Sequence, residues 1–287
     1  MKLTVIGAGT MGHGIAGQAA WKGCEVCLFD VHPDALERGL KSIEKIYNKG
    51  VARNKMSLED QTQALSRLKG VSSSIEDACS HADIVIEAAP ENLELKQTLF
   101  KQIEASVRPD TILATNTSSL SITRIASVLK YPSRFLGMHF FNPVAVMPLL
   151  EIVRGDQTSD SIVDQVRLLG ETWLKTPIVV KDSPGFATSR LGIALGNEAM
   201  RIFEEGVASA HDIDQAMVLG YRHPIGPLAL TDLVGLDVRL AISEYLHQEL
   251  KTDAFKPPQV LKDKVQQGHL GKKSGQGFYT YDNTSKS

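Results

Sequence analysis

Leu3-Thr4-Val5-Ile6-Gly7-Ala8-Gly9-Thr10-Met11-Gly12-His13-Gly14-Ile15-Ala16 is the stretch from which the fold can be read. Its first four residues are a short, mostly β-branched apolar run, the pattern of a buried strand. Glycines at 7, 9 and 12 then spell G-x-G-x-x-G, and a helical segment is expected from Gly14 to Lys22. Alone the expression is common, but a strand before it and a helix after it give it a mechanism. Glycines there permit a tight turn, close approach of backbone to a pyrophosphate, and close packing of helix on strand. The helix N-terminus adds N–H groups and a favourable dipole for the anion. Asp30 lies eighteen residues beyond Gly12, at the end of the next strand candidate, Glu25 to Phe29. A carboxylate there can accept from both ribose hydroxyls and repels a 2′-phosphate, so NAD is expected over NADP. The cofactor contacts expected from this motif are Gly7, Ala8, Gly9, Thr10, Met11, Gly12 and Asp30.

Outward from that stretch, strand and helix signals alternate, with a helix expected over Pro33 to Asn48. Such alternation predicts a parallel sheet wrapped by helices. A charged, helical excursion from Lys49 to Lys69 interrupts it before the strand candidate Asp83-Ile84-Val85-Ile86-Glu87. Further strands are expected over Thr111 to Ala114, Phe135 to Met138, Leu149 to Val153 and Pro177 to Val180. Full helices no longer separate all of the last ones, which predicts a mixed or antiparallel end to the sheet. At Lys181-Asp182-Ser183-Pro184-Gly185 a polar cap candidate and a proline precede a helix expected from Phe186 to Glu205. After it come helices over Asp212 to Leu219, Gly226 to Leu250 and Pro258 to Gln267, then a glycine-rich tail. The expectation is a doubly wound, Rossmann-type α/β domain over 1–183 and a smaller all-α domain over 184–287.

A chain of 287 residues with a formal net charge of -2 has the size for two domains and lacks the basic excess of a nucleic-acid binder. No apolar run approaches the length of a membrane span, and the N-terminus reads as a strand and not a signal peptide, so a cytoplasmic protein is expected. Cys24, Cys27 and Cys79 form no even framework of the secreted kind. Cys24-Glu25-Val26-Cys27 spells C-x-x-C, but it reads as strand, where residues three apart face opposite sides, so neither a redox pair nor a metal site is expected.

Once a nicotinamide lies over the C-terminal edge of a parallel sheet, the ends of the later strands become candidates to meet it. Those ends are Glu87 to Glu91, Asn116 to Ser119 and His139 to Asn142. Hydride transfer from an alcohol requires its hydroxyl proton to leave, and a neutral histidine can take it. His139 suits that role, and Glu151, twelve residues on in the apolar run Leu149-Leu150-Glu151-Ile152-Val153, is the carboxylate available to orient it. Asn116-Thr117-Ser118-Ser119 reads equally as a helix-capping box and as a substrate contact, and both can hold at once.

Together these motifs resemble the L-3-hydroxyacyl-CoA dehydrogenases, in particular the short, stand-alone bacterial 3-hydroxybutyryl-CoA dehydrogenases. The resemblance runs nearly end to end. It is carried by the glycine motif, Glu87-Ala88-Ala89-Pro90-Glu91-Asn92-Leu93, Asn116-Thr117-Ser118-Ser119-Leu120 and His139-Phe140-Phe141-Asn142-Pro143. Asp182-Ser183-Pro184-Gly185-Phe186, Gly226-Pro227, Asp232-Leu233-Val234-Gly235-Leu236-Asp237 and Gly271-Lys272-Lys273-Ser274-Gly275-Gln276-Gly277-Phe278-Tyr279 extend it. The resemblance implies that His139 is the catalytic base, Glu151 its orienting acid and Ser118 a hydrogen-bond partner of the reacting oxygen, with Asn142 close to the nicotinamide. It also implies cofactor contacts at Glu91, Lys96, Ser118, Asn142 and Lys273, and an acyl-CoA substrate met by Ser118, Asn142 and the residue at 189. The implied reaction is reversible NAD-dependent oxidation of an (S)-3-hydroxyacyl-CoA in fatty-acid or short-chain acid metabolism, by a homodimer joined through its helical domain.

Three positions depart from the family pattern: Ser189 stands where asparagine is usual, and Ala145 and Pro148 where proline and lysine are. The excursion holding Lys49, Arg53 and Lys55 matches the family's CoA-covering helical hairpin, and its charges also fit a solvated face. Two other functions fit some of the residues. A dehydrogenase of a free hydroxy acid, gulonate- or carnitine-type, is disfavoured by Phe140-Phe141; a non-catalytic dinucleotide-binding protein is disfavoured by the joint presence of His139, Glu151 and Ser118.

Overall fold

A computed structural model describes residues 1–281, which form two compact units, the first ending at Ser183 and the second starting at Pro184. The first unit is built in the order β1 (Lys2–Ile6), α1 (Thr10–Trp21), β2 (Glu25–Phe29), α2 (Pro33–Ala52), α3 (Leu58–Ser66), β3 (Leu68–Val71), α4 (Ile75–Cys79) and β4 (Ile84–Glu87). It continues with α5 (Leu93–Ser106), β5 (Ile112–Thr115), α6 (Ile122–Ala126), β6 (Phe135–Phe140), β7 (Leu149–Arg154), α7 (Asp160–Thr172) and β8 (Thr176–Lys181). All eight strands form one sheet in the order β3-β2-β1-β4-β5-β6-β7-β8. Every pairing is parallel except β6 with β7, which is antiparallel. This is the doubly wound arrangement expected from the alternation, with its strand order reversing beside β1.

Burial explains which strands read clearly. β4 and β6 are buried at every position, as befits strands covered on both faces. β3 is an edge strand with one buried residue, Val71, and its Leu-Lys-Gly-Val carries no apolar run. The excursion after Asn48 is therefore not wholly helical: α2 runs on to Ala52, α3 follows, and the segment ends in β3. The connection between β7 and β8 is also fuller than expected, for α7 is a 13-residue helix that buries Val163 and Val166. β6 and β7 alone are joined without a helix, and there the antiparallel pairing falls.

The second unit contains α8 (Thr188–Glu204), α9 (Ala210–Gln215), α10 (Pro227–Val234), α11 (Leu236–Leu250) and α12 (Gln259–Gln266). One helix expected over Gly226 to Leu250 is two, because Gly235 between them has φ +105°, outside the helical region. The polar residue expected to cap α8 serves elsewhere: Asp182 Oδ2 accepts from the Ser121 hydroxyl and the Thr123 N–H, both 2.8 Å away, at the start of α6. The second core gathers Met200, Ile213, Leu228, Leu236 and Leu261. Tail residues are tied to it through Asp232, whose carboxylate accepts from the N–H groups of Phe278 and Tyr279 at 2.8 and 2.9 Å.

Candidate active site

The turn from β1 into α1 fixes the first half of the site. Gly7 has φ +99°, and a Cβ there would lie 2.8 Å from the Ala88 carbonyl oxygen. A Cβ on Gly12 would lie 1.7 Å from the Gly7 carbonyl oxygen, so only glycine lets α1 turn back this closely. Gly9 differs: nothing lies within 4 Å of a Cβ built on it. That open space, at the exposed N-cap of a helix with no side-chain cap, is where a pyrophosphate oxygen can approach the N–H groups of the first turn. The residues present thus fit a dinucleotide. Asp30, at the end of β2, accepts the Ala8 N–H at 2.9 Å through Oδ2 and the His32 N–H at 3.0 Å through Oδ1. Its carboxylate stands beside the glycine turn.

The second half lies at the C-terminal ends of β4, β5 and β6. Antiparallel pairing sets His139 of β6 opposite Glu151 of β7. His139 Nδ1 is 2.7 Å from Glu151 Oε2, with the histidine side chain 6% exposed and the glutamate 0%. An ionised carboxylate only accepts, so Nδ1 carries the proton and the ring's remaining site of protonation is Nε2. Phe141 packs its ring 4.4 Å from that of His139, centroid to centroid. Asn116, just after β5, accepts the Phe140 N–H at 2.9 Å and fastens β6 to that strand end.

Glu91 organises the segment that contains Ser118. Its Oε1 accepts the Thr117 hydroxyl at 2.5 Å, the Ser118 N–H at 2.9 Å and the Ser119 N–H at 3.2 Å. Thr117 in turn accepts the Leu120 N–H at 3.0 Å, whereas the N-cap of α6 is Ser121, so the capping box is displaced along the chain. Lys96 is 1% exposed, its ammonium enclosed by Glu87 Oε1 at 2.6 Å, the Ala89 carbonyl at 3.2 Å and Glu91 Oε2 at 3.6 Å. Glu87 is itself fully buried and also accepts the Thr115 hydroxyl at 2.6 Å.

The first unit holds Gly7 to Gly12 with Asp30 at one turn, Glu91 with Lys96 and Ser118 at the ends of β4 and β5, and His139 with Glu151 across β6 and β7. Asn142 is exposed in the loop after β6, with Ala145 and Pro148 exposed in the same loop. Ser189 and Lys273 belong to the second unit, Ser189 in the first turn of α8 and Lys273 in an ion pair with Asp237 at 2.6 Å. Lys49, Arg53 and Lys55 are all exposed, as on a solvated face. Glu87 and Asn116 support the site in ways their sequence context left unassigned; the signal for each was its place at a strand end. No group of three His, Cys, Asp or Glu among the described residues is placed to hold a metal.

Known proteins similar to this chain span both units. Residues 2–183 match the family described as 3-hydroxyacyl-CoA dehydrogenase, NAD binding domain, and residues 185–281 match its C-terminal domain. A probable 3-hydroxybutyryl-CoA dehydrogenase of Bacillus subtilis is 45% identical over 281 residues, covering 98% of this chain and 97% of the relative. The 3-hydroxybutyryl-CoA dehydrogenase of Clostridioides difficile is 43% identical over 282 residues, covering 98% and 100%. The crystal structure of the (S)-3-hydroxybutyryl-CoA dehydrogenase of Ralstonia eutropha superposes with a TM-score of 0.94 at 43% identity, covering 98% of this chain and 99% of that one. With both units matched in order and relatives of this likeness spanning nearly all of it, the chain belongs to the NAD-dependent 3-hydroxyacyl-CoA dehydrogenase family.

Proposed function

We propose that this protein oxidises short-chain (S)-3-hydroxyacyl-CoA, such as 3-hydroxybutyryl-CoA, reversibly to the 3-ketoacyl-CoA, with His139 as base and Glu151 as its orienting acid. The observation that carries this is the buried 2.7 Å contact between His139 Nδ1 and Glu151 Oε2 on paired strands, with His139 near the C-terminal end of β6. NAD, when bound, supplies the acceptor for the hydride from C3. His139 Nε2 takes the hydroxyl proton as that hydride leaves, and Glu151 holds the tautomer and steadies the imidazolium. Ser118 and Asn142 hydrogen-bond the reacting oxygen and the nicotinamide end of the site. Glu91 fixes the backbone that presents Ser118. Lys96 acts through Glu87 and Glu91; Lys273 is assigned to the cofactor and Ser189 to the acyl substrate.

The first unit is the NAD-binding domain and the second the dimerisation domain. Apolar side chains exposed on the second unit, Leu191, Leu219 and Tyr221 each more than 70% so, support a homodimer. No helix among the described residues is long and apolar enough to cross a membrane, and the three free cysteines fit a cytoplasmic enzyme. The test of substrate class is NADH consumption with acetoacetyl-CoA and with free acetoacetate. The thioester should be reduced rapidly and the free acid at least about 100-fold more slowly, as expected where remote binding energy is used in turnover. Equal rates would favour a free hydroxy acid.

A further inference from the structure

The two strands of the dyad are joined by residues 141–148, a loop that contains Asn142, and its fastening is unusual. Lys175, at the turn from α7 into β8, is 7% exposed, and its ammonium donates to two carbonyl oxygens of this loop, those of Val144 and Met147, the latter at 2.9 Å. Among the described residues no carboxylate lies within ion-pair distance of it. The next residue, Thr176, donates its N–H to the Pro148 carbonyl at 2.7 Å. Leu174, just before, has φ +57°, a left-handed conformation that a leucine rarely adopts. The chain accepts that conformation at the turn that leads Lys175 beneath the loop. From the other side the loop rests on the cofactor helix: a Cβ on Gly14 of α1 would come within 2.9 Å of Val144 Cγ2.

A buried cation with only neutral partners is costly. Burial, aided by the charge of Lys22, pulls the Lys175 ammonium below the ordinary lysine range. A methionine of similar length would fill the same space without that penalty, so what the lysine adds is its grip on the two loop carbonyls. We propose that Lys175 is a positioning residue of the dehydrogenase reaction: by clamping Val144 and Met147 it holds the loop that sets Asn142 against the nicotinamide end of the site. The assignment rests on the function proposed above, and it joins cofactor helix, loop and dyad through Gly14, Val144 and Lys175.

Two variants test it from opposite sides. Lys175→Met should lower kcat for acetoacetyl-CoA reduction about 10- to 100-fold, the scale of a misplacement near 1 Å, with the Kd for NADH changed less than about 2-fold. Amide exchange at Val146 and Met147, whose N–H groups both donate to the Pro143 carbonyl at 2.9 Å, should quicken at least about 10-fold. Lys175→Arg, which keeps a cationic donor, should recover most of kcat. A lower melting temperature with unchanged kcat per folded molecule would reduce Lys175 to a structural residue and overturn the proposal. If Lys175→Met does not fold, Gly14→Ala displaces Val144 with the lysine intact. Faster loop exchange with lowered kcat then supports the proposal, and normal kcat overturns it. Wild-type protein inert toward acetoacetyl-CoA would defeat the substrate assignment instead, leaving loop exchange in Lys175→Met to decide whether the lysine orders the loop.

Discussion

At the scale of single residues, the buried Glu87–Lys96 pair is the strongest commitment in the first unit. Both side chains are removed from water, and the pair is tolerable because Ala89 N–H and the Thr115 hydroxyl satisfy the remaining carboxylate positions at 2.6 Å each. Lys96→Met should cost about 3–5 kcal/mol of stability in urea unfolding, since it leaves Glu87 charged and unpaired, and Glu87→Leu in the same chain should restore much of it. The dyad was legible from sequence, because Glu151 interrupts an apolar run and such a carboxylate needs a partner. The burial of Lys96 was not. A lysine on the first turns of a helix ordinarily faces solvent, and only the fold reveals that Glu87 waits beneath it.

At the scale of elements, the three glycines of the first turn have separable duties. Gly12→Ala should prevent normal folding of the turn, because its Cβ would overlap the Gly7 carbonyl. Gly9→Ala meets nothing within 4 Å and should leave the melting temperature within about 2 °C of wild type, while a methyl group in the pyrophosphate's path weakens NADH binding at least about 10-fold by fluorescence titration. Equal NADH affinity in Gly9→Ala would contradict the assignment of that space. The starts of β1, β4 and β5 meet at Asp83, whose carboxylate accepts the Lys2 N–H and the Arg108 guanidinium, each at 2.8 Å. The Lys2 N–H first, then Arg108, hold its pKa below the ordinary carboxylate value. The resulting stability is present above the unfolded-state pKa and lost as pH falls through the folded one. Asp83→Asn should therefore melt lower than wild type at pH 7, with the gap closing as acid takes the pH through the lowered folded-state pKa of Asp83.

Element type was readable wherever both faces of a strand are covered, as in β1, β4 and β6, since continuous burial writes a continuous apolar run. It failed where tertiary context supplies the order. β3 is held by pairing with β2, not by its own composition, and the break at Gly235 depends on a backbone angle that composition leaves open. In α7, Ile162, Val163, Val166 and Leu169 fall at helical spacing, but only Val163, Val166 and Gly170 are buried, so its apolar stripe is narrow beside the continuous runs of the flanking strands.

At the scale of the whole molecule, the enzyme is divided between a sheet that carries the cofactor turn and dyad and a helical unit that carries Ser189 and Lys273. The homodimer proposed for the second unit predicts sedimentation at roughly twice the 31.3 kDa chain mass, and Leu219→Glu with Tyr221→Glu should shift the population toward monomer. Sedimentation of the wild type as a monomer at micromolar concentration would contradict it. Which acyl chain fits best was beyond sequence, because Ser189, Ala145 and Pro148 change size and charge at positions whose effect depends on the bound substrate.

In the proposed reaction His139 moves the proton and Glu151 keeps it poised to do so. The measurement that decides this is kcat for acetoacetyl-CoA reduction by Glu151→Gln, a change that keeps the side chain's shape and removes its charge, alongside the Kd for NADH. The predicted result is a fall in kcat of about 10³- to 10⁴-fold with NADH affinity unchanged. Wild-type kcat in that variant would show that the buried carboxylate is not needed to orient and charge-balance His139.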